Sequence, residues 1–240
     1  MMNLVIDYGN SAAKVGIFDQ HELVEKHLFS ETTELRKFLE NFSADNFIIS
    51  SVKADALMIT EWAVNIKKKF VLSQTLPLPI EIQYATPQTL GVDRIAGVCG
   101  AKVIFPNNDC LVIDTGTCIT YDMITKDGHF IGGGISPGLS MRFQAVHTFT
   151  TKLPLVKPKD DVPLIGNSTE SCIQSGVING LLEEIEGIIR LYRVKFADLQ
   201  VILCGGDTGF FENKLKASIF ASPELVLSGL NSILIYNVNR

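Results

Sequence analysis

The sequence predicts a duplicated α/β fold, in which each half is a mixed sheet with flanking helices and a cleft lies between the halves. The first observation behind this prediction is that LVIDYGN at 4–10 is nearly repeated as LVIDTGT at 111–117. The second is that each copy is followed by further strand-like segments and then by alternating strands and helices. Two copies are too few for a solenoid. They suit two domains, 1–106 and 107–240, joined at the turn sequence Pro106-Asn107-Asn108-Asp109.

The first half opens with three predicted strands. An apolar run predicts a strand at Asn3–Asp7. After the turn Gly9-Asn10-Ser11 the pattern resumes and predicts a second strand at Ala12–Asp19, and a tight turn then leads to a third, more polar strand at His21–Phe29. Further apolar runs predict strands at Asn46–Val52 and Ile80–Tyr84. Helical spacing of apolar residues predicts helices at Thr32–Phe42, Ala54–Lys69 and Asp93–Phe105. The basic cluster Lys67-Lys68-Lys69 is interpreted as the solvated end of the second helix.

The second half repeats this order. Apolar runs around the turn Lys126-Asp127-Gly128 predict strands at Cys110–Asp114, Cys118–Thr125 and Phe130–Gly134. A helix at Leu139–Phe149 follows a glycine-rich turn, and the prolines between Pro154 and Pro163 mark a loop. An amphipathic stripe predicts a long helix at Ile173–Val194. A strand at Leu199–Leu203, ended by Gly205-Gly206, and a helix at Ser228–Asn237 complete the prediction.

The composition excludes several classes of protein. The chain has 240 residues, of which 46% are hydrophobic and 20% charged, as in an ordinary globular protein. A net charge of −5 without a basic stripe argues against a nucleic-acid partner. The sequence contains no apolar run long enough to predict a membrane span. The segment MMNLVIDYGN lacks the pattern of a signal peptide. Five cysteines without a CxxC pair fit a reduced cytoplasm, and four histidines without an HxxxH pair favour structural or surface roles.

The two repeated turns carry the candidate chemistry. Asp7 and Asp114 each end a buried strand, where a lone carboxylate is costly and a bound cation would keep it ionised. The glycine two positions later allows a tight turn, and Asn10-Ser11 and Thr117 offer amides and hydroxyls to phosphate oxygens. If the halves face each other, the pattern predicts a site for phosphoryl transfer. A pair of such turns could be coincidence, but the matching LVID context weighs against it.

Six motifs occur in order along the chain: DYGNSAAK at 7–14, GVDR at 91–94, DTGT at 114–117, GGGISPG at 132–138, GNST at 166–169 and CGGD at 204–207. This ordered set resembles the type III pantothenate kinase family, within the sugar kinase and actin-like ATPase superfamily. The resemblance covers essentially the whole chain. It implies an actin-like (ribonuclease H-like) fold with ATP between the halves and phosphorylation of pantothenate, the first step of coenzyme A synthesis. It also implies Mg²⁺, a monovalent cation (K⁺ or NH₄⁺), a homodimer and a cytoplasmic location, with no nucleic-acid or membrane partner.

The resemblance implies a role for each matched residue. Asp93 is the candidate catalytic base, Asp7 would hold Mg²⁺ through water, and Asp114 would bind the monovalent cation. The expected pantothenate-binding residues are Tyr84, Gly91, Val92, Asp93, Arg94 and Thr169. The expected ATP-binding residues are Asp7, Tyr8, Gly9, Asn10, Ser11, Ala12, Ala13, Lys14, Thr117, Gly205 and Gly206. Two positions depart from the family: Ser11 and Cys204 stand where Thr is more usual.

Plainer structural roles are open for several of these residues. Asp93 starts a helical pattern and could serve only as an N-cap, and Arg94 could form a structural ion pair. Lys14 could be a surface residue, Tyr84 a packing residue and Thr169 a first-turn helix residue.

Two other functions are also open. A polyphosphate or nucleotide phosphatase on the same fold would use water as the nucleophile and would not need the Gly-x-Asp-Arg signature. A non-catalytic regulatory relative would keep only the fold. The retention of Asp7, Asp93 and Asp114 argues against it, because charged groups are costly to bury without a function.

Overall fold

The computed structural model describes residues 1–52 and 55–240, which form a mixed α/β structure. The strands, numbered in chain order, are β1 Met2–Tyr8, β2 Ala13–Asp19, β3 Glu22–Phe29, β4 Asn46–Ser51, β5 Lys68–Val71, β6 Glu81–Ile82, β7 Cys110–Thr115, β8 Cys118–Ile124, β9 His129–Pro137, β10 Gln200–Cys204 and β11 Phe220–Ala221. The helices are α1 Thr32–Asn41, α2 Ala56–Trp62, α3 Val92–Ile104, α4 Leu139–Thr148, α5 Thr169–Lys195, α6 Thr208–Phe211 and α7 Leu225–Val238. Within the described residues, none of the helices combines the length and the apolar character needed to cross a bilayer.

The strands form two sheets with a recurring order. One sheet has the order β3-β2-β1-β4-β5 and the other the order β11-β10-β7-β8-β9-β6. The order β3-β2-β1-β4 in the first sheet corresponds to β9-β8-β7-β10 in the second. β1 pairs in parallel with β4, and β7 pairs in parallel with β10. The strand that ends in Asp-x-Gly therefore occupies the same place in each sheet, as the repeated LVID segment predicts.

The chain forms two compact units. The first comprises residues 1–107, 123–132 and 224–240, and the second comprises 108–122 and 133–223. The last helix, α7, therefore belongs to the first unit. The division at residues 106 and 107 that the sequence repeat suggests stays a prediction.

The core of the first unit forms around β1. Leu4, Val5 and Ile6 have no solvent exposure, as expected of a central strand covered on both faces. Leu4 and Ile6 belong to a cluster that includes Leu35 and Leu39 of α1. The amphipathic spacing of α1 therefore serves to cover one face of β1.

Helices α3 and α7 of the first unit touch at the level of their backbones. A β-carbon at Gly229 of α7 would overlap the carbonyl oxygen of Ala96, and one at Gly100 of α3 would overlap the carbonyl oxygen of Leu225. Glycine is needed at both positions because nothing larger fits between the helices. This contact fixes α3, whose first turn carries Asp93 and Arg94.

A chain of buried asparagines joins α7 to the same sheet. Asn46 donates to Asn3 (2.9 Å), Asn3 donates to Asn231 (2.8 Å), and Asn231 donates to the carbonyl of Gln20 (2.8 Å). The three asparagines are 3% exposed or less. Each amide is thereby satisfied in a region where an unpaired polar group would be costly.

We expect Asn231→Ala to lower the free energy of unfolding by about 1–3 kcal/mol, because it leaves the buried Asn3 amide without its acceptor. Urea unfolding followed by circular dichroism would measure the change. Asn237→Ala on the same helix is the control, because the Asn237 side chain is only half-buried and donates to the backbone carbonyls of Pro77 and Ile233, so its loss should cost less. Equal costs for the two variants would contradict the role of the buried chain.

The predicted helix over 54–69 is wrong in its second part. Ala54 lies outside the described residues, and α2 ends at Trp62. The segment Lys68–Val71 is the strand β5, which pairs in parallel with β4, so the lysine cluster does not end a helix. Pairing with β4 outweighs the local helical spacing, because it satisfies a ladder of backbone groups along the sheet.

Other elements differ from prediction at their ends or were missed. α5 begins at Thr169, four residues before the predicted start, because Ser168 caps it and forms a capping box with Ser171. The sequence did not reveal the short elements α6 and β11 or the 3₁₀ turn at Pro87–Thr89. Each of them is too short to produce a periodic pattern.

Candidate active site

The turn between β1 and β2 carries the first predicted phosphate motif. The Gly9 amide donates to the Ala12 carbonyl (3.1 Å), which closes the turn and leaves Asn10 and Ser11 exposed. Exposed amides and hydroxyls at a tight turn are suited to phosphate oxygens. The side chains of two other predicted ATP-binding residues point into the unit: Tyr8 is 8% exposed and Ala13 is fully buried. Only the backbone of these two residues is suited to contact a ligand.

Asp7 lies at the edge of this turn between two strands. It pairs in register with Lys14 of β2 on one side and with Ser50 of β4 on the other. The Ser50 hydroxyl donates to Asp7 Oδ1 (2.9 Å). Burial raises the pKa of Asp7, the Ser50 hydrogen bond and the Lys14 charge oppose this rise, and the charge of Asp93 adds to it. The fold therefore brings Asp7 and Asp93 close enough to interact, although 85 residues separate them in the sequence.

Asp93 lies in the first turn of α3. The N-cap residue is Gly91, so the interpretation of Asp93 as an N-cap is wrong. Asp93 Oδ1 accepts a hydrogen bond from the Arg94 amide (2.9 Å). A β-carbon at Gly91 would lie 2.5 Å from the same oxygen, so glycine makes room for the carboxylate. The positive end of the helix dipole also favours a carboxylate at this position.

Arg94 and Tyr84 meet next to a residue that sequence reasoning missed. The Arg94 guanidinium lies 5.8 Å from the ring of Tyr84 and 5.9 Å from the ring of Phe130. The two rings stack with centroids 6.3 Å apart, and Arg94 is 9% exposed. A β-carbon at Gly132 would lie 3.4 Å from Tyr84. Phe130 thus helps to hold a buried guanidinium in place, in an arrangement suited to cation–π attraction.

In the second unit, the Asp114–Thr117 turn packs against two glycines. Gly205 has a φ of +97°, and a β-carbon there would overlap Asp114 Oδ1. The Gly138 amide donates to the Thr117 carbonyl (3.2 Å), and a β-carbon at Gly138 would overlap that oxygen. Residues 114–117, 204–207 and the part of the third motif at 133–138 therefore meet within this unit.

The remaining predicted residues occupy varied surroundings. Val92 is 8% exposed, so its side chain packs inside the first unit. Thr169 is exposed at the first turn of α5. A β-carbon at Gly206 would have no neighbour within 4 Å, so the backbone there is open to approach.

We expect Asp7→Asn to stabilise the ligand-free protein at neutral pH. Burial raises the pKa of Asp7 above its ordinary value of 3.8. The folded protein therefore keeps the full stabilisation from the protonated Asp7 carboxyl at pH values below 3.8. It loses this stabilisation as the pH rises through the raised pKa of the folded state. Because the variant cannot ionise, its melting temperature should match that of the wild type at the acid end and exceed it at pH 7.5.

Thermal unfolding between pH 4 and 8 would measure this difference. Asp161→Asn, at an exposed position, is the control for the loss of one negative charge. A gap between wild type and Asp7→Asn that stays constant with pH would show that ionisation of Asp7 does not destabilise the fold.

Comparisons with known proteins agree with the motif pattern. The family model described as type III pantothenate kinase matches residues 3–191. A type III pantothenate kinase from Christiangramia forsetii is 45% identical over 247 aligned residues, which cover 98% of this chain and 99% of that protein.

Solved structures agree with the fold. A Campylobacter jejuni protein described as a Baf family transcriptional activator is 22% identical, with a TM-score of 0.66 and coverage of 99% of this chain and 100% of that one. A ROK family protein from Streptococcus pneumoniae, solved with sucrose, has a TM-score of 0.56 at 8% identity, and covers 100% of this chain and 99% of that one. At these identities the likeness concerns the fold alone, and it confirms the predicted actin-like α/β class.

Proposed function

The chain belongs to the type III pantothenate kinase family, and from this membership we infer that it transfers the γ-phosphate of ATP to the 4'-hydroxyl of pantothenate. It would act as a phosphotransferase with an alcohol acceptor in the first step of coenzyme A synthesis. The proposal is supported by the contact of Arg94 with the ring of Tyr84, next to Asp93 in the first turn of α3, and by the effect of the Asp93 charge on the pKa of Asp7.

Asp93 and Arg94 would act on pantothenate. The Asp93 carboxylate would accept the hydroxyl proton as the new oxygen–phosphorus bond forms and the bond between the γ-phosphorus and the β,γ-bridging oxygen breaks, releasing ADP. In a loose transition state this base mainly orients the nucleophile. The Arg94 guanidinium would bind the pantothenate carboxylate, because its planar fork suits bidentate contact. Tyr84, Gly91, Val92 and Thr169 would complete the acceptor site.

Two sets of residues would bind ATP phosphates. One is formed by the amides and hydroxyls of residues 9–14, and the other by Thr117, Gly205 and Gly206. Asp7 is suited to Mg²⁺, because a cation offsets the cost of ionising a partly buried carboxylate. Among the described residues no group of three or more His, Cys, Asp or Glu side chains could cage a metal, so phosphate oxygens and water would supply most ligands. Mg²⁺, when bound, would neutralise phosphate charge.

Three finer proposals accompany this function. Asp114 would bind a monovalent cation, K⁺ or NH₄⁺, and glycine at 205 makes room for its carboxylate, because a β-carbon there would overlap Asp114 Oδ1. The chain would form a homodimer. It would act in the cytoplasm, which fits the absence of disulfides among its described cysteines.

A coupled assay of ADP release tests the proposal. Purified protein is incubated with ATP and Mg²⁺, with and without pantothenate, in K⁺, NH₄⁺ or Na⁺ salts. We expect ADP release only when pantothenate is present, with K⁺ or NH₄⁺ supporting a higher rate than Na⁺.

The alternatives give different outcomes in the same assay. ADP release that does not depend on pantothenate would support a phosphatase on this fold. Absence of release with every cation would support a non-catalytic regulatory relative.

A further inference from the structure

A four-residue network in the second unit surrounds the Glu184 carboxylate of α5. Glu184 Oε1 accepts hydrogen bonds from the hydroxyls of Ser136 (2.7 Å) and Tyr121 (3.3 Å). Glu184 Oε2 accepts from Arg142 Nη2 (2.7 Å). Both carboxylate oxygens are therefore occupied by donors from β8, β9 and α4.

Arg142 links this carboxylate to the end of β9. Its Nη2 also donates to the Ser136 hydroxyl (2.9 Å), and its Nε donates to the Pro137 carbonyl (2.9 Å). The Arg142 guanidinium therefore forms hydrogen bonds with two consecutive residues, Ser136 and Pro137, just before Gly138. A planar fork held by a carboxylate loses little freedom when it makes such bonds.

The segment Ser136–Gly138 also contacts the Asp114–Thr117 turn. The Gly138 amide donates to the Thr117 carbonyl, and the first turn of α4 begins at the next residue. A shift of Pro137 would therefore move Gly138 and the Asp114–Thr117 turn together. No residue of the network belongs to a predicted substrate or metal site.

We propose that Glu184 is a positioning residue: through Arg142 it holds the Ser136–Gly138 segment, and with it Thr117, in the arrangement that binds the ATP phosphates. This inference rests on the proposed function, because it takes Thr117 as a phosphate contact. The hydrogen bonds from Ser136 and Arg142 outweigh the effect of burial and hold the pKa of Glu184 below its usual value, so the carboxylate stays charged at neutral pH. Burial raises the pKa of Tyr121, and the nearby Glu184 charge raises it further, so the Tyr121 hydroxyl remains a donor.

Glu184→Gln tests the inference with a nearly isosteric side chain. The amide has a donor where the carboxylate has an acceptor, and it removes the charge that neutralises Arg142. We expect the KM for ATP and the Kd of a non-hydrolysable ATP analogue, measured by calorimetry, to rise on the order of tenfold, as for residues coupled in one network. The KM for pantothenate should change less than twofold.

Glu183→Gln is the matched control, since it removes the same charge from the adjacent, exposed position of α5. It should leave both constants unchanged. Tyr121→Phe, which removes only the longest hydrogen bond, should raise the analogue Kd by a smaller factor. In a double-mutant cycle, Arg142→Met combined with Glu184→Gln should weaken analogue binding no more than the worse single variant.

Two outcomes would overturn the inference. One is unchanged analogue binding in a folded Glu184→Gln variant. The other is an equal loss of affinity for ATP and pantothenate, which would indicate general destabilisation. If Glu184→Gln does not fold, the analogue Kd of Tyr121→Phe decides, and a value equal to that of the wild type counts against the inference. The analogue measurement needs no turnover, so it separates failure of this inference from failure of the proposed kinase activity.

Discussion

Asp93→Asn should lower kcat for pantothenate phosphorylation by about 10³-fold, which lies within the usual contribution of a general base. The amide keeps the size of the side chain and can still accept a hydrogen bond from the Arg94 amide, so the turn of α3 should persist. What it loses is the capacity to take the hydroxyl proton. The KM values for ATP and pantothenate should change little, because the interaction lost is made mainly in the transition state.

Steady-state kinetics of both substrates would measure this effect. Asp55→Asn is a suitable control, because Asp55 also stands at a helix start but caps α2 by accepting from the amides of Leu57 and Met58. It should retain the wild-type kcat. A variant of Asp93 that keeps most of its kcat would show that the residue has only a structural role.

Arg94→Met should reduce kcat/KM for pantothenate by about 10²-fold, chiefly through a higher KM. Loss of one partner from a buried charge pair typically costs about 2–5 kcal/mol. Methionine can still pack against the rings of Tyr84 and Phe130, so the apolar contacts are largely preserved. The KM for ATP should stay close to the wild-type value.

An acceptor without a carboxylate makes this prediction specific. Pantothenyl alcohol has the same reactive hydroxyl but no anionic group, so wild type and Arg94→Met should phosphorylate it with similar kcat/KM. If the variant lost equal activity toward both acceptors, Arg94 would be needed for the fold of the site and not for the carboxylate. With pantothenate, the kcat/KM of Arg94→Lys should lie between those of the wild type and Arg94→Met. Lysine keeps the positive charge but lacks the planar guanidinium that allows bidentate contact.

The sequence alone predicted the parts of the fold that repeat. The two LVID strands and their hairpins are visible because apolar runs and turn residues are local signals, and both strands occupy the same place in their sheets. The strand β5 was missed because its pairing with β4 is a tertiary interaction that local helical spacing does not reveal. The predicted range of α5 began at Ile173, although Thr169 was also interpreted as a first-turn helix residue, because its capping box uses two serines and lacks the more familiar acidic residue.

The residues of the candidate site were likewise predicted from the sequence only in part. Spacing drew attention to Asp7 and Asp114, whereas Asp93, Arg94 and Tyr84 were named through family resemblance, because their spatial grouping depends on α3 and β6 being brought together by the fold. Phe130 and Glu184 carried no signal, since an aromatic residue in a strand and a glutamate on a helix are each ordinary in their local context. Only the three-dimensional contacts reveal what they support.

The packing of α7 against α3 has a consequence for the order of folding. α3 ends at Ile104 and α7 begins at Leu225, so the ribosome completes the helix that bears Asp93 long before its partner exists. Until then the surface of α3 at Ala96 and Gly100 lacks the helix that covers it in the folded chain. Closing so long a loop is also entropically costly, which makes the docking of α7 a natural late step in acquiring activity.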